Sequence, residues 1–139
     1  LIGLGTDGYT KDMLESLKAG CLIHKHRLGD TNAATAELTA MLFNNNAVIT
    51  ERIFGVKTGV LKAGYAADII ILDYDPPTPM TSDNSDGHIL FGLTGTNVKE
   101  TIVNGRVLMR DRVLVGIDEA EIRAQSRLQA ADLWKRVNS

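Results

Sequence analysis

Leu1-Ile2-Gly3-Leu4-Gly5-Thr6-Asp7-Gly8 opens the chain and reads as an apolar strand that carries one carboxylate to a sharp turn. A strand buried on both faces shows a continuous apolar run. The Gly5-Thr6-Asp7-Gly8 exit lets the backbone bend while Asp7 projects from the strand's C-terminal end. Parallel α/β barrels place catalytic and metal-binding groups at that end of their strands. An aspartate there can coordinate a metal through one oxygen and accept a proton from metal-bound water. The same letters also fit an Asx-type turn with no chemistry. The chain starts inside this strand with no earlier strand to pair with it, so the expectation is a piece of a larger protein.

The length of 139 residues and the 44% hydrophobic content suit one ordinary domain with a core. A complete eightfold barrel takes about 250 residues, so an opening barrel strand would bring only part of its barrel with it. The net charge is −2 and the pI is near 5.9. The longest basic run is Lys25-His26-Arg27, so no nucleic-acid partner is expected. Ile69-Ile70-Ile71-Leu72 is the longest apolar run of the later chain and is far too short to span a bilayer. The first residues lack the layout of a signal peptide, and no membrane partner is expected. Cys21 is the single cysteine; it excludes an intrachain disulfide and suits a reducing, cytoplasmic compartment.

Downstream, Thr10 can cap a helix over residues 11–27, with Asp12 complementing the helix dipole and Gly29 as its stop. A second helix is predicted over residues 30–43. The Asn44-Asn45-Asn46 cluster then reads as its termination, or as the lining of a polar pocket. A helical turn over 47–54 ends at Gly55. At Gly59 the period becomes strand-like. Residues 68–74 read as a buried strand, and the proline-rich Asp75-Pro76-Pro77-Thr78-Pro79 breaks it. Residues 89–93 are predicted to form a short strand. Residues 98–103 and 106–109 flank Asn104-Gly105, the turn pair of a type I′ hairpin, and 113–115 can add another strand. A final helix has Asp118 as N-cap, Glu121 closing a capping box, and Ile117 with Ile122 as a hydrophobic staple. Ala124, Leu128, Ala131 and Trp134 form its predicted buried stripe.

Other candidate chemistry is weaker. His24-Lys25-His26 has the letters of a metal-binding pair, but positions two apart on a helix diverge by about 200°, and the histidines suit a helix C-terminus. His88 reads as a strand-edge or turn residue, and Cys21 as a small core residue. Gly3-x-Gly5-x-x-Gly8 matches a dinucleotide fingerprint by letters alone, since its glycines begin within the strand.

Gly59-Val60-Leu61-Lys62-Ala63-Gly64-Tyr65-Ala66-Ala67-Asp68-Ile69-Ile70-Ile71-Leu72-Asp73 resembles the Gly-x-Leu-x-x-Gly-x-x-Ala-Asp-hydrophobic-Asp signature of the metal-dependent amidohydrolase superfamily. Val98-x-x-Thr101-Ile102-Val103-Asn104-Gly105-Arg106-Val107 resembles that superfamily's next marker. With Gly5-Thr6-Asp7-Gly8 the three stand in the family's order. Within the superfamily the chain is most similar to the cytosine deaminase and chlorohydrolase branch. Asp86-Gly87-His88-Ile89-Leu90-Phe91-Gly92 and Leu133-Trp134-Lys135-Arg136 resemble its aminohydrolases linked to selenium metabolism. The family's Thr-x-Asn-Gly-Ala-like motif has a loose counterpart in Phe43-Asn44-Asn45-Asn46-Ala47.

The resemblance implies an α+β fragment: the last strand and helices of a TIM (β/α)8 barrel over 1–50, the C-terminal part of a composite β-sandwich over 51–117, and a terminal helix over 118–139. It implies that Asp7 is a metal ligand and a catalytic residue. Asp7 would bind zinc or iron in the parent enzyme and help activate its water for C–N hydrolysis of a cyclic or amidine-like small molecule. The remaining ligands, a His-x-His pair, two further histidines and an acid, are then expected upstream of residue 1. The chain alone is expected to be inactive and to bind no metal. Its expected partners are the missing N-terminal barrel portion and, through open strand edges, other copies of itself. The competing reading is a freestanding β-rich interaction or assembly module. An upstream coding region with a His-x-His strand would favour the enzyme, and a start codon at residue 1 the module.

Overall fold

A computed structural model of the chain describes residues 1–138. The architecture is α+β: a helical unit, a returning segment that packs on it, a four-stranded antiparallel sheet, and a terminal helix. Helix α1 runs Met13–Leu28, and Asp12 is its N-cap, taking Leu14 N–H at 2.9 Å and Glu15 N–H at 3.3 Å on Oδ1. The predicted cap, Thr10, sits two residues before it. Its hydroxyl accepts from Asp12 N–H at 3.1 Å and donates to Glu15 Oε2 at 3.0 Å. Gly29 closes the helix as predicted, at φ 65°, a conformation open to glycine at no steric cost.

The predicted break at Asn44-Asn45-Asn46 does not occur. Helix α2 (Thr35–Ala40) passes into a π-helical segment (Met41–Asn45) and then into α3 (Asn46–Phe54), which Gly55 ends at φ 68°. The three asparagines lie inside this run because the side chains of Asn45 and Asn46 bond to the distant opening segment instead of to their own turn. Local capping was therefore the wrong competitor for these side chains.

Strand β1 (Ile69–Leu72) is followed by the proline break. The chain then makes a one-turn helix α4 (Ser85–Gly87) and a π-helical turn (His88–Gly92) where a strand was predicted. Short apolar runs do not separate buried strand from buried helix. Here Leu90 is buried against Leu17, Cys21 and Leu38, and these four form the core, with Leu4, Ala34, Met41, Leu42 and Ile89 packed around them. A helical turn delivers Leu90 to that core while His88 turns to Tyr74. Helices α1 and α2 cross closely at Gly20, where a methyl group would sit 2.5 Å from Leu38 Cδ1.

A 3₁₀ turn (Gly95–Asn97) leads into β2 (Val98–Val103), β3 (Arg106–Arg110) and β4 (Val113–Leu114), in sheet order β1-β2-β3-β4. Ile69 pairs with Ile102 and Ile71 with Glu100, and an irregularity follows Ile71. Asn104 and Gly105 take φ 48° and 76°, the two left-handed positions of the predicted type I′ turn. Asp111 and Arg112 repeat that geometry at φ 48° and 64° without a glycine. Arg112 is held there by its N–H to Lys99 O at 3.0 Å and by its guanidinium to Asp73 at 3.1 Å.

Helix α5 (Glu119–Val137) starts at Asp118, which accepts Glu121 N–H at 3.0 Å. Its predicted stripe is not buried: Leu128 is 64% and Trp134 60% exposed. Two of the four stripe positions are alanine, which offers little apolar area to drive docking. Glu121 turns to Gln125 at 2.8 Å along the helix, so its side chain serves an i,i+4 contact.

Candidate functional site

The predicted opening strand has no ladder partner among the described residues; residues 1–6 belong to no helix or strand. What takes the place of a neighbouring strand is a side chain. Asn46 Oδ1 accepts Leu4 N–H at 3.1 Å and Asn46 Nδ2 donates to Leu4 O at 2.9 Å. Asn45 Nδ2 donates to Ile2 O at 2.7 Å. The approach is so close that a methyl group at Gly3 would overlap Asn46 Oδ1. Leu4 itself packs against the core, so the segment is fixed on both its backbone and its side-chain face.

Residues 7–9 then form a turn closed by Tyr9 N–H to Thr6 O at 3.2 Å. Asp7 sits in it at φ 48°, a conformation that aspartate tolerates better than most residues. The turn's amide goes to a backbone carbonyl, so the carboxylate is not spent on an Asx turn. It is exposed and makes no hydrogen bond or ion pair within the described residues. Beyond the turn, Asp12 Oδ2 accepts Gly95 N–H at 2.6 Å, tying the start of α1 to the approach to β2. Nothing local in the sequence marks Asn46 or Asp12 for these tasks, because their partners lie 42 and 83 positions away.

The other candidates fall elsewhere. His24 and His26 are exposed near the end of α1. Lys25 between them donates to Thr31 O and, at 2.9 Å, to Thr35 Oγ1. Cys21 is buried, as predicted. His88, expected at a strand edge or in a turn, opens the helical turn His88–Gly92 and is buried, with Nδ1 2.8 Å from Tyr74 Oη and Nε2 3.3 Å from Thr78 Oγ1. It lines a cavity of about 400 Å³ with Pro77 and Phe91 that does not include Asp7. Among the described residues no three His, Cys, Asp or Glu side chains come together as a metal site. Asp7 fits one position of a coordination shell and the described residues do not complete it.

The two acids of the stretch 59–73 are structural. Asp68 Oδ1 accepts Asn104 N–H at 2.7 Å, and Gly105 N–H donates to Ala67 O at 3.0 Å. Asp73 carries the ion pair to Arg112. The run Ala67-Asp68 thus grips the Asn104-Gly105 turn, which explains why these stretches occur together. The profile of the amidohydrolase family matches residues 1–108. The chain belongs to the amidohydrolase family.

Relatives of this amidohydrolase chain carry deaminase names. It is 39% identical over 117 residues to the 5-methylthioadenosine/S-adenosylhomocysteine deaminase of Thermococcus onnurineus, covering 81% of the chain and 27% of the relative. It is 31% identical over 142 residues to the 5′-deoxyadenosine deaminase of Methanosarcina mazei, covering 99% of the chain and 32% of the relative. The chain therefore spans about a third, or less, of the length of these relatives. A crystal structure of an adenosine deaminase from Xanthomonas campestris with bound zinc matches 88% of the chain and 28% of its own length at TM-score 0.74 and 17% identity, a likeness of fold. Atrazine chlorohydrolase TrzN from Arthrobacter aurescens, complexed with zinc, matches 83% of the chain and 25% of its own length at TM-score 0.60 and 26% identity.

Proposed function

We propose that this chain is the C-terminal portion of a metal-dependent aminohydrolase that removes an exocyclic amine from a 5′-modified adenosine. Residues 1–50 would end its barrel, 51–117 would form the C-terminal part of its β-sandwich, and 118–139 its last helix. Asp7 is the residue to which this reading assigns chemistry. The observation that carries it is an exposed carboxylate, spent on no contact within the described residues, at the end of a segment fixed from both sides, in a chain whose family profile spans that segment. The deaminase names of the relatives support the reaction class, and the zinc-bound chlorohydrolase structure supports a divalent ion, zinc on this reading, with iron as the alternative.

The described residues supply one donor, so the rest of the coordination shell must come from the remainder of the parent polypeptide. Bound there, the ion would supply a water acidic enough to ionise near neutral pH. The work of this chain is to hold the Asp7 carboxylate still, exposed and unpaired, where it can accept a proton. On this reading the 139-residue chain by itself neither binds metal stoichiometrically nor turns over substrate, and its natural partner is the remaining barrel.

The test is ammonia release by the full-length, zinc-loaded polypeptide. Turnover of 5′-deoxyadenosine or 5-methylthioadenosine, with a loss of at least about a hundredfold in Asp7→Asn, is expected for a residue that handles the proton. Absence of turnover on every adenosine derivative would defeat the substrate class, and full activity of Asp7→Asn would defeat the assignment of Asp7.

A further inference from the structure

The amide of Asn46 does what a neighbouring strand does for a strand residue: it receives the N–H and supplies a donor for the C=O of the same residue, Leu4, at 3.1 and 2.9 Å. Three observations show that this contact is built. Gly3 leaves room for it that any side chain would fill. Asn45 adds a parallel bond to Ile2 O at 2.7 Å. The π-helical turn Met41–Asn45, in which Asn46 N–H reaches back to Met41 O, inserts an extra residue into an otherwise α-helical run, and such bulges concentrate at functional sites.

The clamped residue stands three positions before Asp7, and among the described residues the intervening Gly5 and Thr6 make no side-chain hydrogen bond that would fix the course of the chain. The next restraint on the chain is the Thr6–Tyr9 turn itself. We infer that Asn46 is a positioning residue for Asp7: by pairing with both backbone groups of Leu4 it sets where the Asp7 carboxylate stands. The inference rests on the reading of Asp7 as a ligand and proton acceptor.

Asn46 touches no reacting atom on this account, so its loss should alter the efficiency of the reaction more than the recognition of substrate. Removing a group that orients a metal ligand typically lowers activity by about 10- to 100-fold, and misplacement of a reacting group by about 1 Å has a similar effect. Asn46→Ala removes both bonds. Asn46→Asp keeps an acceptor for Leu4 N–H but replaces the donor facing Leu4 O with a second acceptor, and is a smaller steric change.

The experiment compares Asp7→Asn, Asn46→Ala and Asn46→Asp in the full-length, zinc-loaded polypeptide by ammonia release from 5′-deoxyadenosine, with kcat per folded molecule and KM measured separately. The expected result is a fall in kcat of about 10- to 100-fold for both Asn46 variants, with KM changed by less than about threefold. Loss of activity in Asp7→Asn alongside normal kcat per folded molecule in the Asn46 variants would overturn this inference alone. Full activity of Asp7→Asn would overturn the Asp7 reading and this inference with it.

Discussion

Replacing Gly3 by alanine should be damaging only while Asn46 is present. The new methyl group would overlap Asn46 Oδ1 and approach Ile49 Cδ1 to 2.9 Å. The isoleucine tip can rotate away, whereas the amide cannot move without releasing Leu4. Two hydrogen bonds at about 1 kcal/mol each are therefore at stake. If the amide stays, overpacking of about 1–3 kcal/mol takes their place. The two routes together give a destabilisation of about 1–3 kcal/mol. In an Asn46→Ala background the obstacle is gone. Gly3 does not sit at positive φ, so alanine fits its backbone there, and the substitution should be neutral or stabilising by about 0.5 kcal/mol through the unfolded chain. Urea unfolding of the four proteins in this cycle measures the coupling, expected at about 1–3 kcal/mol, and amide exchange of Leu4 reports the same clamp directly. Equal effects of Gly3→Ala in both backgrounds would refute the steric reasoning.

Asp12→Ala removes the α1 cap and the bond to Gly95 together, and should lower unfolding stability by about 1–3 kcal/mol, with faster exchange of the Gly95 amide; unchanged exchange there would count against the bridge. Leu17→Ala empties the centre of the core and should cost about 2–5 kcal/mol in the same assay, whereas Arg112→Ala breaks a pair whose side chains are 49% and 61% exposed and should cost less than about 1 kcal/mol. Sedimentation of the 139-residue chain should show association, because edge strand β1 presents Ile70 and Ile71 at 51% and 43% exposure with no strand on its outer side among the described residues; a stable monomer at high concentration would contradict this.

What could be read from the sequence is what depends on neighbours in the chain. The Asn104-Gly105 hairpin, the stop at Gly29 and the Asp118 cap each follow from a few adjacent residues, and each forms as predicted. The strand at 69–72 is legible as a strand for the same reason, but not the exposure of Ile70 and Ile71, which the sequence reads as buried. The Asn44–Asn46 run was not, because its side chains answer to Ile2 and Leu4, and a helix whose asparagines have distant partners has no reason to end. His88 to Gly92 reads as well for strand as for helix until Leu90 is seen to fill the space between Leu17 and Leu38. The terminal helix was legible as a helix but not as an exposed one, since burial depends on what lies against it.

Asp7 was legible as a candidate and not as a site. Its turn uses the Thr6 carbonyl, so the carboxylate is left unspent, and that could be learned only from the fold. The most direct test of its assignment is bound-metal stoichiometry in the full-length polypeptide, measured by elemental analysis with and without Asp7→Asn. A tightly held divalent ion is expected in the native protein, with its loss or marked weakening in the variant. Equal metal content in the two folded proteins would contradict it.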